Sequence, residues 1–113
     1  MSFFRISESA PETLFGERTK RLGARGGKLM AAQVHIPAGA VAPAHSHPHE
    51  QITYVISGRI SYRIGGETQE LGAGDSTYVP GDTEHEVTAL EDTLVVDVFT
   101  PQREDFLPAD ERS

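Results

Sequence analysis

The stretch His45-Ser46-His47-Pro48-His49-Glu50-Gln51, running straight into the apolar segment Ile52 to Ile56, decides how this chain is read. It packs three imidazoles and an amide into seven residues. Histidine is the commonest metal-binding side chain. On an extended strand, His-x-His sends both rings out of one face, because strand side chains alternate with period 2. The segment therefore predicts a metal site on a β scaffold, with His85 further along the chain as another candidate ligand. The alternative is an incidental surface histidine tract. Its position inside the chain, ending in an apolar strand, argues against that.

Outward from this segment the chain reads as short strands separated by turns. Leu29 to Ile36 is strand-like and is turned by Pro37-Ala38-Gly39; Gln51 to Ser57 is stopped by Gly58. Arg59 to Ile64 and Thr68 to Leu71 flank Gly65-Gly66, a two-residue hairpin signal. Ser76 to Val79, His85 to Ala89 and Thr93 to Phe99 complete the set, with Gly72-Ala73-Gly74-Asp75, Pro80-Gly81-Asp82 and Leu90-Glu91-Asp92 as turns. Between 29 and 99 no window sustains a helical apolar period free of Gly or Pro, so the class is all-β, a sandwich or barrel. Residues 1–28 are less regular. Phe3, Phe4, Leu14 and Phe15 there would supply an edge strand or cover an end of the barrel.

The 113 residues have room for a single domain, 1–113, with the barrel core at about 29–100. With no cysteine, disulfides and thiolate ligands are excluded. Seventeen acids against ten bases, a net charge of −7, disfavour a nucleic-acid partner. Met1-Ser2-Phe3-Phe4-Arg5 lacks the apolar stretch of a signal peptide and no run has membrane-spanning length, so a cytoplasmic protein without membrane contact is expected.

The spacing is more specific than the composition. Gly39, His45-x-His47, Gln51 and Gly58 resemble the first motif of the cupins, with Gln where most members carry a metal-binding Glu. Gly74, Pro80 and His85 resemble the second, although Asp82 stands where Gly is usual and Ala89 where Asn is usual. This resemblance implies a single-domain cupin, a double-stranded β-helix or jelly-roll barrel. The segment HSHPHEQITYVISG, the Leu90-Glu91-Asp92-Thr93 turn and Val95 through Leu107 are further similar to the pectin-degradation cupins that linearise unsaturated uronates. That likeness implies one divalent transition metal ion held by His45, His47, Gln51 and His85. It also implies a reaction pocket shaped by Asp97, Phe99 and Arg103.

The residues themselves give a parallel reading. Along Thr93 to Phe99, Val95, Asp97 and Phe99 share one strand face, and Leu94, Val96 and Val98 the other. If the first face lines the barrel, Asp97 enters an apolar lumen and needs a metal, an Arg or a substrate nearby. Otherwise Asp97 points to solvent or forms a structural ion pair. Phe99 reads as core or as sugar-packing surface, and Arg103 taken alone as a solvated tail residue. His49 is placed beside the ligands or exposed, and Glu50 on the opposite parity is solvated unless the motif is misaligned. His35 reads as a surface or core histidine. Three imidazoles and one neutral amide leave a divalent ion its full charge, which favours Lewis-acid over oxidative chemistry. Ni, Zn, Fe, Mn and Cu all remain open.

The resemblance then implies a non-redox enzyme opening 4,5-unsaturated monouronates to 5-keto-4-deoxyuronate, its partner a small anionic sugar. A dioxygenase or polyketide-cyclase type of cupin, or a non-catalytic sugar-binding module, is the alternative. A homodimer is expected, because Ile52, Tyr54 and Ile56 and Leu94, Val96 and Val98 are apolar on faces turned away from the ligands.

Overall fold

A computed structural model describes residues 2–112. Ten strands form: β1 (Glu12–Leu14), β2 (Arg18–Gly26), β3 (Leu29–Ile36), β4 (Val41–His45), β5 (Glu50–Ser57), β6 (Arg59–Ile64), β7 (Glu67–Gly72), β8 (Ser76–Val79), β9 (His85–Ala89) and β10 (Thr93–Thr100). The only helical segments among the described residues are three single 3₁₀ turns, at Ile6–Glu8, Glu104–Phe106 and Ala109–Glu111. Strands β3 to β10 divide between two antiparallel sheets in the orders β3-β10-β5-β8 and β4-β9-β6-β7, the jelly-roll arrangement. Strands β1 and β2 extend the first sheet beyond β3. The all-β cupin barrel expected from the sequence is therefore the fold. No described helix is long and apolar enough to cross a membrane.

Two corrections concern elements. The two histidines of His45-x-His47 do not share one strand: β4 ends at His45, and His47 lies in the connection to β5. Pro43 within β4 explains the short strand, since it cannot donate to a ladder and sits where the β4–β9 register slips between Ala42 and His45. The described residues before β3 give the expected edge strand, β1, and a second strand, β2, between it and β3. Leu14 packs against the core, whereas Phe3 and Phe15 remain 87% and 81% exposed, so those two rings cover nothing.

The core fills the space between the sheets. Val34, Val55, Ile60, Val79 and Val95, all nearly inaccessible, belong to one apolar cluster; Met30, Ala32, Phe99, Phe106 and Leu107 belong to a second at the C-terminal side. Strand β5 inverts the usual alternation. Gln51 and Thr53 are buried inward while Ile52, Tyr54 and Ile56 stay 44–48% exposed. Polar groups facing a barrel lumen cost free energy unless they are bonded, so their presence already locates a site.

Two turns set the geometry at that end. Asp82, where Gly is usual, has φ +59°, a left-handed conformation that Asp tolerates better than most residues. Its backbone N–H donates to the His47 carbonyl at 2.7 Å. Next to it, Gly81 lies so close to the Pro48 carbonyl that a Cβ would sit 2.5 Å from the oxygen. The β8–β9 turn thus clamps the loop that carries His47.

Candidate metal centre and reaction pocket

His45 and His85 face one another as cross-strand partners at the ends of β4 and β9. Gln51, at the start of β5, approaches from the opposite sheet, and the loop between the sheets delivers His47. One ring nitrogen from each histidine lies within 4.8 Å of the others. The orientation of each ring follows from its second nitrogen. Nδ1 of His45 bonds the Pro43 carbonyl at 2.8 Å, that of His47 the His49 carbonyl at 3.1 Å, and that of His85 the Thr83 carbonyl at 2.9 Å. A carbonyl only accepts, so each Nδ1 carries the proton and each Nε2 presents a lone pair.

Three consequences make this donor set fit a divalent cation. Among the described residues the Nε2 of His85 is buried without a hydrogen-bond partner, an orphaned acceptor that ordinarily costs about 1–3 kcal/mol. The Nε2 of His47 stands 3.1 Å from Gln51 Oε1, so two acceptors face one another. The Gln51 amide is held in that orientation by its Nε2, which donates to Thr53 Oγ1 at 3.0 Å, Asp97 Oδ1 at 3.2 Å and Tyr62 Oη at 3.3 Å. Burial and the positive field of Arg103 hold His47 below the usual imidazole range. Burial pushes His85 down to about 4, so both rings stay neutral, as ligands must be.

Asp97 lies on the same inward face as Val95 and Phe99, in register with Thr53 of β5. Its Oδ1 accepts from Thr53 Oγ1 at 2.7 Å as well as from Gln51. Asp97 is half-buried and lines the cavity. Burial raises its proton affinity above the ordinary Asp value, against the opposing pull of Thr53, Arg18, Gln51 and Arg103. The solvent-facing reading of Asp97 is thereby excluded. Tyr62, on β6, is pushed up by burial and by Asp97, so it remains a neutral phenol bonded to Thr53.

Phe99 is 1% exposed, beside His47 and Phe106 at ring-centroid distances of 6.0 and 5.6 Å. Arg103 lies over both Phe106 and Phe99, at 4.1 and 5.3 Å, and its Nε and one Nη grip Asp105 at 3.2 and 2.8 Å. It is therefore no free tail residue. Burial alone would raise Asp105, but the Arg103 guanidinium holds it below the usual range. Of the other histidines, His35 pairs with Asp92 on the surface at 2.9 Å, while His49 lies beside the ligands as expected, its ring 5.4 Å from that of His47 and its Nδ1 buried, without joining the three clustered nitrogens. Glu50 is exposed and accepts from Tyr78 Oη at 2.6 Å, so it is not turned toward the cluster.

Together His45, Gln51, His85, Asp97, Phe99 and Arg103 border one cavity. Sequence reasoning missed Thr53, Tyr62 and Arg18 on its wall. Inward parity beside Gln51 could have found Thr53, but Arg18, from an irregular segment before the first recognised strand, carried no signal.

Residues 32–99 match the family model described as "Cupin domain". The pectin degradation protein KdgF of Dickeya dadantii is 38% identical over 81 residues, 70% of this chain and 74% of that protein. Among solved structures, KdgF from a Halomonas species superposes with a TM-score of 0.88 at 37% identity, covering 95% of this chain and 99% of that one. An RmlC-like cupin from Shewanella frigidimarina also reaches 0.88, at 30% identity and over 93% of this chain and 95% of that one.

Proposed function

The chain belongs to the cupin family and is a homologue of the KdgF pectin-degradation proteins, and from that premise we propose that it is a metal-dependent, non-redox enzyme that linearises 4,5-unsaturated monouronates. The observation that carries the proposal is a three-histidine cluster suited to a divalent cation, with Gln51 Oε1 beside it, next to a carboxyl of raised proton affinity that accepts from the same Gln51.

The substrate is a cyclic enol ether with a hydroxyl on its anomeric carbon. Opening it needs one proton added at C4 and one removed from the anomeric hydroxyl. Addition at C4 leaves C5 oxocarbenium-like. Loss of the hydroxyl proton forms the C1 carbonyl as the C1–ring-oxygen bond breaks, and that electron pair completes the C5 ketone. Protons and electrons balance without water or oxidant.

An ion held by His45, His47, Gln51 and His85 would supply Lewis acidity toward the substrate's oxygens. Asp97 carries the proton, for which a carboxyl whose proton affinity is raised by burial is suited. Thr53 and Gln51 fix its Oδ1, leaving Oδ2 to exchange the proton with the sugar. Phe99 packs against the ring, and Arg103 adds positive charge for the anionic substrate.

The test is the ultraviolet absorbance of the unsaturated monouronate. Metal-loaded protein should accelerate its loss well beyond spontaneous opening, and chelator should abolish the acceleration. An unaltered rate with the metal bound would refute the proposal.

A further inference from the structure

We propose that Arg18, the first residue of β2, is the residue that grips the substrate's carboxylate and so selects uronates over neutral sugars. The inference rests on the reading of the cavity as a uronate site. Arg18 borders the cavity that holds the ligand cluster and also the adjoining hollow between Phe15, Pro43 and Asp105, so it stands at the boundary between them. Its Nε donates to the Phe15 carbonyl at 2.8 Å, which anchors the guanidinium plane. Among the described residues no carboxylate closes a salt bridge with it. Its two Nη groups therefore offer the parallel donor pair that matches a carboxylate.

Arg103 is the competing candidate, but its Nε and Nη2 are already taken by Asp105, and its plane is committed to Phe99 and Phe106. Arg103 adds charge; Arg18 retains the free fork. Burial lowers the Arg18 pKa, with the field of Asp97 opposing, as expected for a cation held in the cavity wall without a neutralising partner. Arg18 and Asp97 both line this cavity. In the substrate the carbon that accepts the proton is two bonds from the carboxyl carbon, so one sugar is long enough to engage both Arg18 and Asp97 across the cavity they line. Strand β2 lies outside the eight-stranded jelly roll. The edge addition would thus supply substrate selection to a barrel that supplies the chemistry.

The experiment compares metal-loaded wild type, Arg18→Gln and Arg18→Lys. The probes are galacturonate, a saturated acid that cannot react, and its uncharged methyl ester, measured by calorimetric titration. Loss of a charge-assisted fork should weaken galacturonate about 10- to 100-fold in Arg18→Gln while leaving the ester within about twofold. Arg18→Lys should recover only part of the loss, and it carries the test if the glutamine variant does not fold. With the unsaturated monouronate, KM should rise about tenfold or more while kcat changes less than about threefold. Failure of the wild type to prefer acid over ester, or wild-type affinity in the folded variants, overturns the assignment. Arg18-dependent preference without turnover would sink the linearisation reading and leave Arg18 standing; turnover with an Arg18-independent KM would do the reverse.

Discussion

Asp97 sits where two requirements compete. A proton carrier must be able to hold its proton, which burial favours, and must be held still, which Thr53 and Gln51 accomplish at 2.7 and 3.2 Å. Asp97→Asn preserves shape and loses the transferable proton, so turnover should fall about 10²–10⁴-fold with metal content unchanged. Its stability effect has a definite sign. The native state holds the Asp97 proton to higher pH than the unfolded chain does, so wild-type stability declines as pH rises from the ordinary Asp value through the raised one. Asn does not titrate, and chemical denaturation should show Asp97→Asn at least as stable as wild type at neutral pH. Gln51→Glu is the complementary change. It replaces the amide donor facing Asp97 by a second carboxylate, so elemental analysis should find metal retained while turnover drops about tenfold or more, through repulsion at Asp97 and a less electrophilic ion. The histidines, Gln51 and Asp97 were legible because motif spacing and strand parity depend only on local sequence. Arg18 was not, because its role depends on β2 folding back beside β3 and no local pattern encodes that return.

At the scale of elements, the site depends on the contact between the β8–β9 turn and the loop carrying His47. Gly81→Ala would drive a Cβ to 2.5 Å from the Pro48 carbonyl, so the backbone must shift. Thermal melts should show a loss of about 1–3 kcal/mol, and metal titration a weaker site, because the shift moves the His47 loop. Asp82→Gly instead relieves a left-handed conformation and should be neutral or stabilising by up to about 1 kcal/mol, with metal affinity intact. Opposite outcomes at neighbouring residues would separate loop position from general damage to the turn. The strands from β5 to β10 were readable from alternation and Gly punctuation, and the Gly65-Gly66 hairpin falls as expected between Ile64 and Glu67. Strand β4 was hidden by Pro43 and β2 by its charges. Lys20 illustrates the second case: it is 3% exposed, its ammonium held by Glu12 at 2.9 Å and the Phe106 carbonyl at 3.2 Å, compensation that appears only in three dimensions.

At the scale of the whole molecule, the apolar outer face of the larger sheet stands out. Ile52 pairs with Tyr78 on one side and Val98 on the other, and Tyr54 with Val96, so one apolar surface crosses β8, β5 and β10. Ile52, Tyr54, Ile56 and Tyr78 are each 44–52% exposed. We propose that a second copy of the chain covers this face. Light scattering should report about twice the 12.3 kDa chain mass, and Ile52→Asp should halve the particle while leaving the metal site on the inner face intact. A chelator should also lower the melting temperature, since an ion bound only by the folded state adds its binding free energy to stability. The central claim is proton delivery by this chain to one carbon of a bound uronate, and the most direct measurement is NMR of the product formed in D₂O. Metal-loaded wild type should place a single deuterium on one face of C4, and Asp97→Asn should lose that selectivity along with the rate. Equal labelling of both faces at the spontaneous rate, with the metal in place, would contradict the account.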